Sequence, residues 1–246
     1  IAQRLAREAI ELDPNYAPAY NLLGRTLWRE VIFRTADDPP KKLQEAVDAV
    51  LKAVELDYSA DTLSHLGFLY SVIMYQFDKG IEYVEKGITL NPNNSRALTN
   101  TGLTLMTVGR CEEAIKLFDK SLRLSPIPSV NILFCAAQAH KGCKRYDECI
   151  ALARKSTELG PDSFLAHRTL TECYAMAGRI EEAKASATEV LRIFPKYTVK
   201  DYSANAPNAK VKESAVRTIK ARLMAGIPPD DSLKNAVEWE NAFRKE

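Results

Sequence analysis

The chain is poor in the groups that catalysis and covalent frameworks use. Its 246 residues hold 3 His, 2 Trp and 10 Gly. The glycines never form a GxGxxG or GKS/T run, so no loop is built to cradle phosphate, and nucleotide cofactors are not expected. His65, His140 and His167 lie in separate segments, none beside a Ser or Cys arranged as a nucleophile, which leaves no triad to propose. The five cysteines, Cys111, Cys135, Cys143, Cys149 and Cys173, are odd in number and include no CxxC pair. That argues against a disulfide framework and for a reducing, cytoplasmic setting.

Long apolar runs and charge excess are also missing. The most apolar stretch, Leu66 to Phe77, is broken by Ser71 and Gln76 and falls short of the ~20 residues a spanning helix needs, so no membrane insertion is expected. With 34 Lys+Arg against 32 Asp+Glu the net charge is +2, which offers no strong attraction to nucleic acid or anionic lipid. The sequence starts at Ile1 in what reads as helix, with no secretion-signal pattern, and is expected to be an excerpt of a longer protein.

What the chain does have is a period. Pro92, Pro126, Pro161 and Pro195 are separated by 34, 35 and 34 residues, and Tyr58 stands where the preceding one would fall. Small residues keep the same rhythm: Ala46, Gly80, Ala114, Cys149 and Ala183 form one series. Ala53, Gly87, Ser121, Ser156 and Val190 form a second, seven positions on. A shared period of this length identifies a stack of repeated supersecondary units.

One unit reads "SRALTNTGLTLMTVGRCEEAIKLFDKSLRLSPIP", with two amphipathic segments flanking Gly109 and the acidic pair Glu112–Glu113. Leu98, Gly102 and Leu105 share one face of the first segment; Ala114, Phe118, Ser121 and Leu124 share one face of the second. Gly102 and Ala114 are short enough to let helices approach closely, and Pro126 ends the second segment because its ring cannot continue the helix. The acidic pairs Glu112–Glu113 and Glu181–Glu182 stand at helix starts, where negative charge meets the helix dipole favourably; capping explains them better than acid–base chemistry.

The Gly in the first helix, the EEA-type start of the second and the LxP ending resemble the tetratricopeptide repeat (TPR). The resemblance implies an all-α, right-handed superhelix of antiparallel helix pairs. Residues 1–16 would be the second helix of a truncated copy. Complete copies would occupy 17–60 (with an insert of about ten residues), 61–94, 95–128, 129–162 and 163–196. A capping element over 197–230 and a polar helical tail over 231–246, carrying Trp239 and Phe243, would follow. The surplus in the first copy falls in "EVIFRTADDPPKKLQ", where Asp37, Asp38, Pro39 and Pro40 mark a loop. In the cap, Val216, Ile219 and Leu223 trace one helical stripe that Gly226 and Pro228 end, as a stack needs to hide its last apolar face.

The insert, the "LSPIPS" turn and the "FPKYTV … AGIPPD" element together resemble the C-terminal TPR region of bacterial class III adenylate or guanylate cyclase proteins. In that family the catalytic carboxylates precede the repeats, so none transfers to this chain.

Cys135, His140, Cys143 and Cys149 lie close enough in sequence to raise metal ligation. Structural zinc pairs favour separations of roughly two to four residues on a turn, and Cys149 fills the packing position that Ala114 and Ala183 fill elsewhere; no metal is expected. The remaining chemistry is a surface. In TPR proteins the first helices line a concave groove, and the matching places here are Asn21, Arg25, Trp28, Ser64, Phe68, Arg96, Thr99, Leu103, Met106, Asn131, Phe134, Gln138, Arg168 and Glu172. Arg25, Arg96 and Arg168 suit carboxylates, and Phe68, Leu103, Met106 and Phe134 offer apolar contacts, a mixture that fits an extended or helical peptide. Ser64 and Thr99 stand where the chaperone-type clamp would continue, so chaperone binding is not expected. The expected function is noncatalytic protein or peptide binding. The alternative is self-association through the Phe68–Phe77 region or the Trp239 and Phe243 tail.

Overall fold

The computed structural model describes residues 1–32, 35–125, 127–200 and 208–233. Helix α1 (Ala2–Leu12) is followed in chain order by five pairs. These are α2 (Ala17–Ile32) and α3 (Pro39–Leu56), α4 (Ala60–Phe68) and α5 (Phe77–Leu90), then α6 (Ser95–Thr107) and α7 (Cys111–Leu124). The last two are α8 (Val130–Gly142) with α9 (Tyr146–Leu159) and α10 (Phe164–Met176) with α11 (Ile180–Ile193). Helix α12 (Ala209–Met224) and a 3-10 turn over Asp231–Leu233 complete the described chain. The architecture is all-α; the one extended feature among the described residues is an isolated bridge between Val199 and Pro229.

Helix starts follow local chemistry. Ser59 accepts from the Thr62 backbone N–H, and Thr62 returns the contact to the Ser59 N–H, a capping box that fixes the first turn of α4. Ser129, Ser163 and Asn208 cap α8, α10 and α12 more simply, each side chain accepting one first-turn backbone N–H. Within the pairs, the turn between helices passes through the left-handed region at Tyr75 (φ 57°), Gly109 (φ 82°), Lys144 (φ 62°) and Gly178 (φ 78°). These four positions are 34, 35 and 34 residues apart, so the backbone turn repeats with the sequence.

Both small-residue series are buried at every position, from Ala46 to Ala183 and from Ala53 to Val190. The reason is backbone proximity: a Cβ on Gly67 would lie 2.6 Å from the carbonyl oxygen of Gly80, and one on Gly80 would lie 2.7 Å from that of Gly67. Gly67 and Gly80 are thirteen residues apart where Gly102 and Ala114 are twelve. The extra residue is taken up by a π turn over Leu69–Ile73, closed by the Met74 N–H donating to the Leu69 carbonyl.

The chain folds as two compact units, Ile1–Leu105 and Met106–Glu246. Unit 1 is centred on Leu27, Val50, Leu63, Leu66 and Leu69, unit 2 on Phe118, Leu133, Cys149, Ala183 and Ile219.

Two expectations are corrected. Pro39 and Pro40 do not sit in a loop: Asp38 caps the Lys41 N–H, and the prolines are the first residues of α3, where a missing N–H costs nothing. The surplus of the first copy lengthens α2 and α3 around residues 33 and 34, which lie outside the described residues. The cysteines are not a set of free thiols. Cys111 is bonded to Cys143 and Cys149 to Cys173, with Cα separations of 5.7 and 5.9 Å, and only Cys135 is free. Helix pairing, and not a CxxC spacing, brings these partners together: α7 packs on α8 and α9 on α10. Paired in this way, the cysteines do not point to a reducing compartment. Pro126, residues 201–207 and the tail with Trp239 and Phe243 lie outside the described residues.

Candidate functional site

In unit 1 the capping box places Asp61 in the first turn of α4, facing the neighbouring first helices. Its carboxylate accepts from Asn21 Nδ2 at 2.9 Å and Arg25 at 2.8 Å on α2, and Arg96 of α6 lies 3.4 Å away. Because Asn21 donates from its amide nitrogen, its carbonyl oxygen is left to accept from His65 Nδ1. Burial, and then the nearby Arg25, hold the His65 pKa well below its usual 6.5, so the ring is neutral with its proton on Nδ1 and its buried Nε2 without a protein partner. Arg25 is lowered by burial; Asp61 opposes this, and Arg96 and Arg29 add to it. Two guanidinium groups, Arg25 and Arg96, thus share one carboxylate. The Arg96 side chain is 68% exposed against 28% for Arg25 and 24% for Asp61, so the excess positive charge reaches solvent through Arg96.

Beside this cluster, Trp28 lies against Phe68 with ring centroids 5.2 Å apart, and Leu103 packs on the same core. Trp28 Nε1 is buried without a protein partner. Phe68 itself is buried, as are Ser64, which donates to the Asp61 carbonyl and accepts from Asn100, and Thr99, which donates to the Ser95 carbonyl. Of the expected groove residues in unit 1, Arg25, Trp28, Arg96 and Leu103 keep surface available; Asn21, Ser64 and Phe68 join neighbouring helices, and Thr99 is buried against its own helix.

In unit 2, Glu172 of α10 is fully buried and accepts from Lys141 of α8 and from Arg222 of α12, whose Nε lies 2.7 Å away. Arg168, one turn earlier on α10, stands 3.5 Å from the same carboxylate and covers the Phe164 ring. Burial alone would raise the Glu172 carboxyl; Arg222, Lys141 and Arg168 outweigh it and hold it down at about 2. Gln138 donates to Thr169 at 3.2 Å, Phe134 is buried, Met106 is half-buried and Asn131 is exposed. Cys135, His140, Cys143 and Cys149 do not converge, since two of them are bonded elsewhere, and among the described residues no three His, Cys, Asp or Glu side chains come together.

Sequence reasoning missed Asp61, His65, Lys141 and Arg222. A signal existed for the first pair: Asp61 and Arg96 sit 35 residues apart, about one period, with opposite charge. No period links Arg222 to Glu172.

No family model matches the chain. It is 32% identical over 123 residues to the type IV pilus assembly protein PilF of Pseudomonas aeruginosa, a match that covers 48% of this chain and 44% of that protein. The Cut9 chain of the APC/C Cut9–Hcn1 hetero-tetramer superposes with a TM-score of 0.63 over 88% of this chain and 38% of its own, at 16% identity. MamA from Desulfovibrio magneticus RS-1 superposes with a TM-score of 0.51 over 71% of this chain and 94% of its own, at 15% identity. The chain thus spans less than half of the pilus protein and of Cut9. The phased helix pairs and these likenesses give the chain the all-α helical-repeat fold of the tetratricopeptide-repeat type.

Proposed function

We propose that the chain is a noncatalytic protein-binding module that takes a peptide segment on the first-helix face of unit 1. The observation that carries this reading is the gathering of Arg25 and Arg96 around Asp61 from three successive first helices, beside half-buried Trp28 and Leu103. A guanidinium that keeps most of its surface, next to an apolar patch, suits a segment with an acidic residue beside an apolar one. The likeness to a pilus assembly protein supports a role in holding other proteins. The resemblance of the insert and the "AGIPPD" element to cyclase-associated repeats supports a place in a bacterial signalling protein of the adenylate cyclase type.

The test is capture of partners from a bacterial lysate by the immobilised chain, with and without Arg96→Glu and Leu103→Ser. Loss of specific partners in the double variant, at unchanged helical content, is expected. Identical capture by both would remove the face from the account. Self-association is measured in parallel by light scattering; a concentration-dependent dimer that the same substitutions abolish would assign the face to a second copy.

A further inference from the structure

Helix α12 does not extend the stack. A helix continuing it would pack on both members of the last pair, as α8 packs on α7 and α10 on α9; α12 packs on α10 and only marginally on α11. Its cap Asn208 donates to the Val108 carbonyl at 3.4 Å, Glu213 lies 3.7 Å from Lys144 at the end of α8, and Arg222 reaches Glu172 in α10. The helix therefore meets unit 2 at three places, the turn before α7, the end of α8 and the middle of α10. Arg168 and Glu172, which the repeat register assigns to a bound peptide, face this helix.

The buried face of α12 is Ala215, Thr218, Ile219, Ala221 and Arg222, one side of an amphipathic helix, while Lys212, Glu213 and Lys220 are exposed. Its departure would not orphan Glu172, which keeps Lys141 and Arg168. The carboxylate would thus keep two cationic partners if α12 left, and would not become an unpaired buried charge.

We propose that the α8–α10 face of unit 2 is a helix-binding site with α12 as its resident occupant. The partner that fits it is a basic amphipathic helix of another protein, presenting an arginine to Glu172 in place of Arg222. This rests on the reading of the chain as a peptide-binding module and locates a second site within it.

The test uses the full chain and a fluorescent synthetic peptide of residues 208–227, read by anisotropy. In the wild type, α12 competes at high effective concentration, so the peptide is expected to bind at least tenfold more weakly than to an Ile219→Glu chain. A peptide carrying Arg222→Glu is expected to lose binding to both. An Ile219→Glu chain that keeps its helical content yet fails to bind, or binds both peptides equally, overturns the proposal. A dimeric variant without peptide binding assigns the vacated face to a second copy and also overturns it. Arg222→Ala serves as a second chain variant; if both variants unfold unit 2, α12 is a fixed core element and the proposal falls. Arg96-dependent partner capture belongs to unit 1, so its persistence alongside failed peptide binding rejects this site alone.

Discussion

Arg222 Nε donates to Glu172 Oε1 at 2.7 Å, joining α12 to a carboxylate fifty residues earlier that has no solvent contact. Lys141 completes the neutralisation from α8. Removing the carboxylate leaves these cations crowded in a desolvated place, so Glu172→Ala is expected to destabilise unit 2 by about 3 to 5 kcal/mol. The contribution depends on pH with a definite sign. The folded pKa, about 2, lies below the ordinary 4.5. The stabilisation is therefore present above pH 4.5 and is lost as pH falls towards 2. Urea unfolding across that window should show a slope in the wild type that Glu172→Gln lacks.

His65 gives unit 1 its own acid sensitivity at milder pH. Its folded pKa is far below 6.5, so the unfolded state takes up a proton that the folded ring refuses. Stability is full above pH 6.5 and falls as pH drops below it. His65→Gln, which can still donate to Asn21, is expected to flatten the decline between about pH 6.5 and 5 in thermal melts; an unchanged slope would mean that the ring is not held neutral.

The repeated left-handed turn predicts opposite outcomes at equivalent positions. Lys144 carries a Cβ at φ 62°, whereas Gly178 meets the same demand at φ 78° without one. Lys144→Gly is expected to stabilise unit 2 by about 1 kcal/mol, and Gly178→Ala to destabilise it by about the same amount. Calorimetric melting of the two variants checks the pair.

Thiol chemistry provides a count. The unfolded chain without reductant should react with iodoacetamide at Cys135 alone, and at all five cysteines after reduction. In the folded chain Cys135 should not react, since burial pushes its thiol up to about 12. Each closed loop is worth about 3 to 4 kcal/mol by chain entropy, so reduction should lower the melting temperature of unit 2 while leaving unit 1 unmoved. Mass spectrometry of the alkylated chain decides the count.

The period made the helix pairs, their small-residue contacts and their first-helix face legible, because stacked helices tolerate only short side chains at fixed intervals. The π turn went unread, although it leaves a trace: Gly67 and Gly80 are one residue further apart than Gly102 and Ala114. Pro39 and Pro40 misled because proline both breaks a helix and starts one, and only the Asp38 cap decides which. The cysteine pairs and the Arg222–Glu172 contact were hidden because they join residues that no common spacing relates. Groove positions such as Asn21 and Ser64 were located by register, but register cannot tell a side chain that reaches solvent from one that bonds to the next helix.

The central claim is that unit 1 receives its partner on the first helices of successive pairs. Hydrogen exchange of the chain with and without a captured partner tests it most directly. Slowed exchange in α2, α4 and α6 around Arg25, Asp61 and Arg96, with α3 and α5 unaffected, is predicted. Protection confined to α3 and α5, or to none of the helices of unit 1, would contradict it.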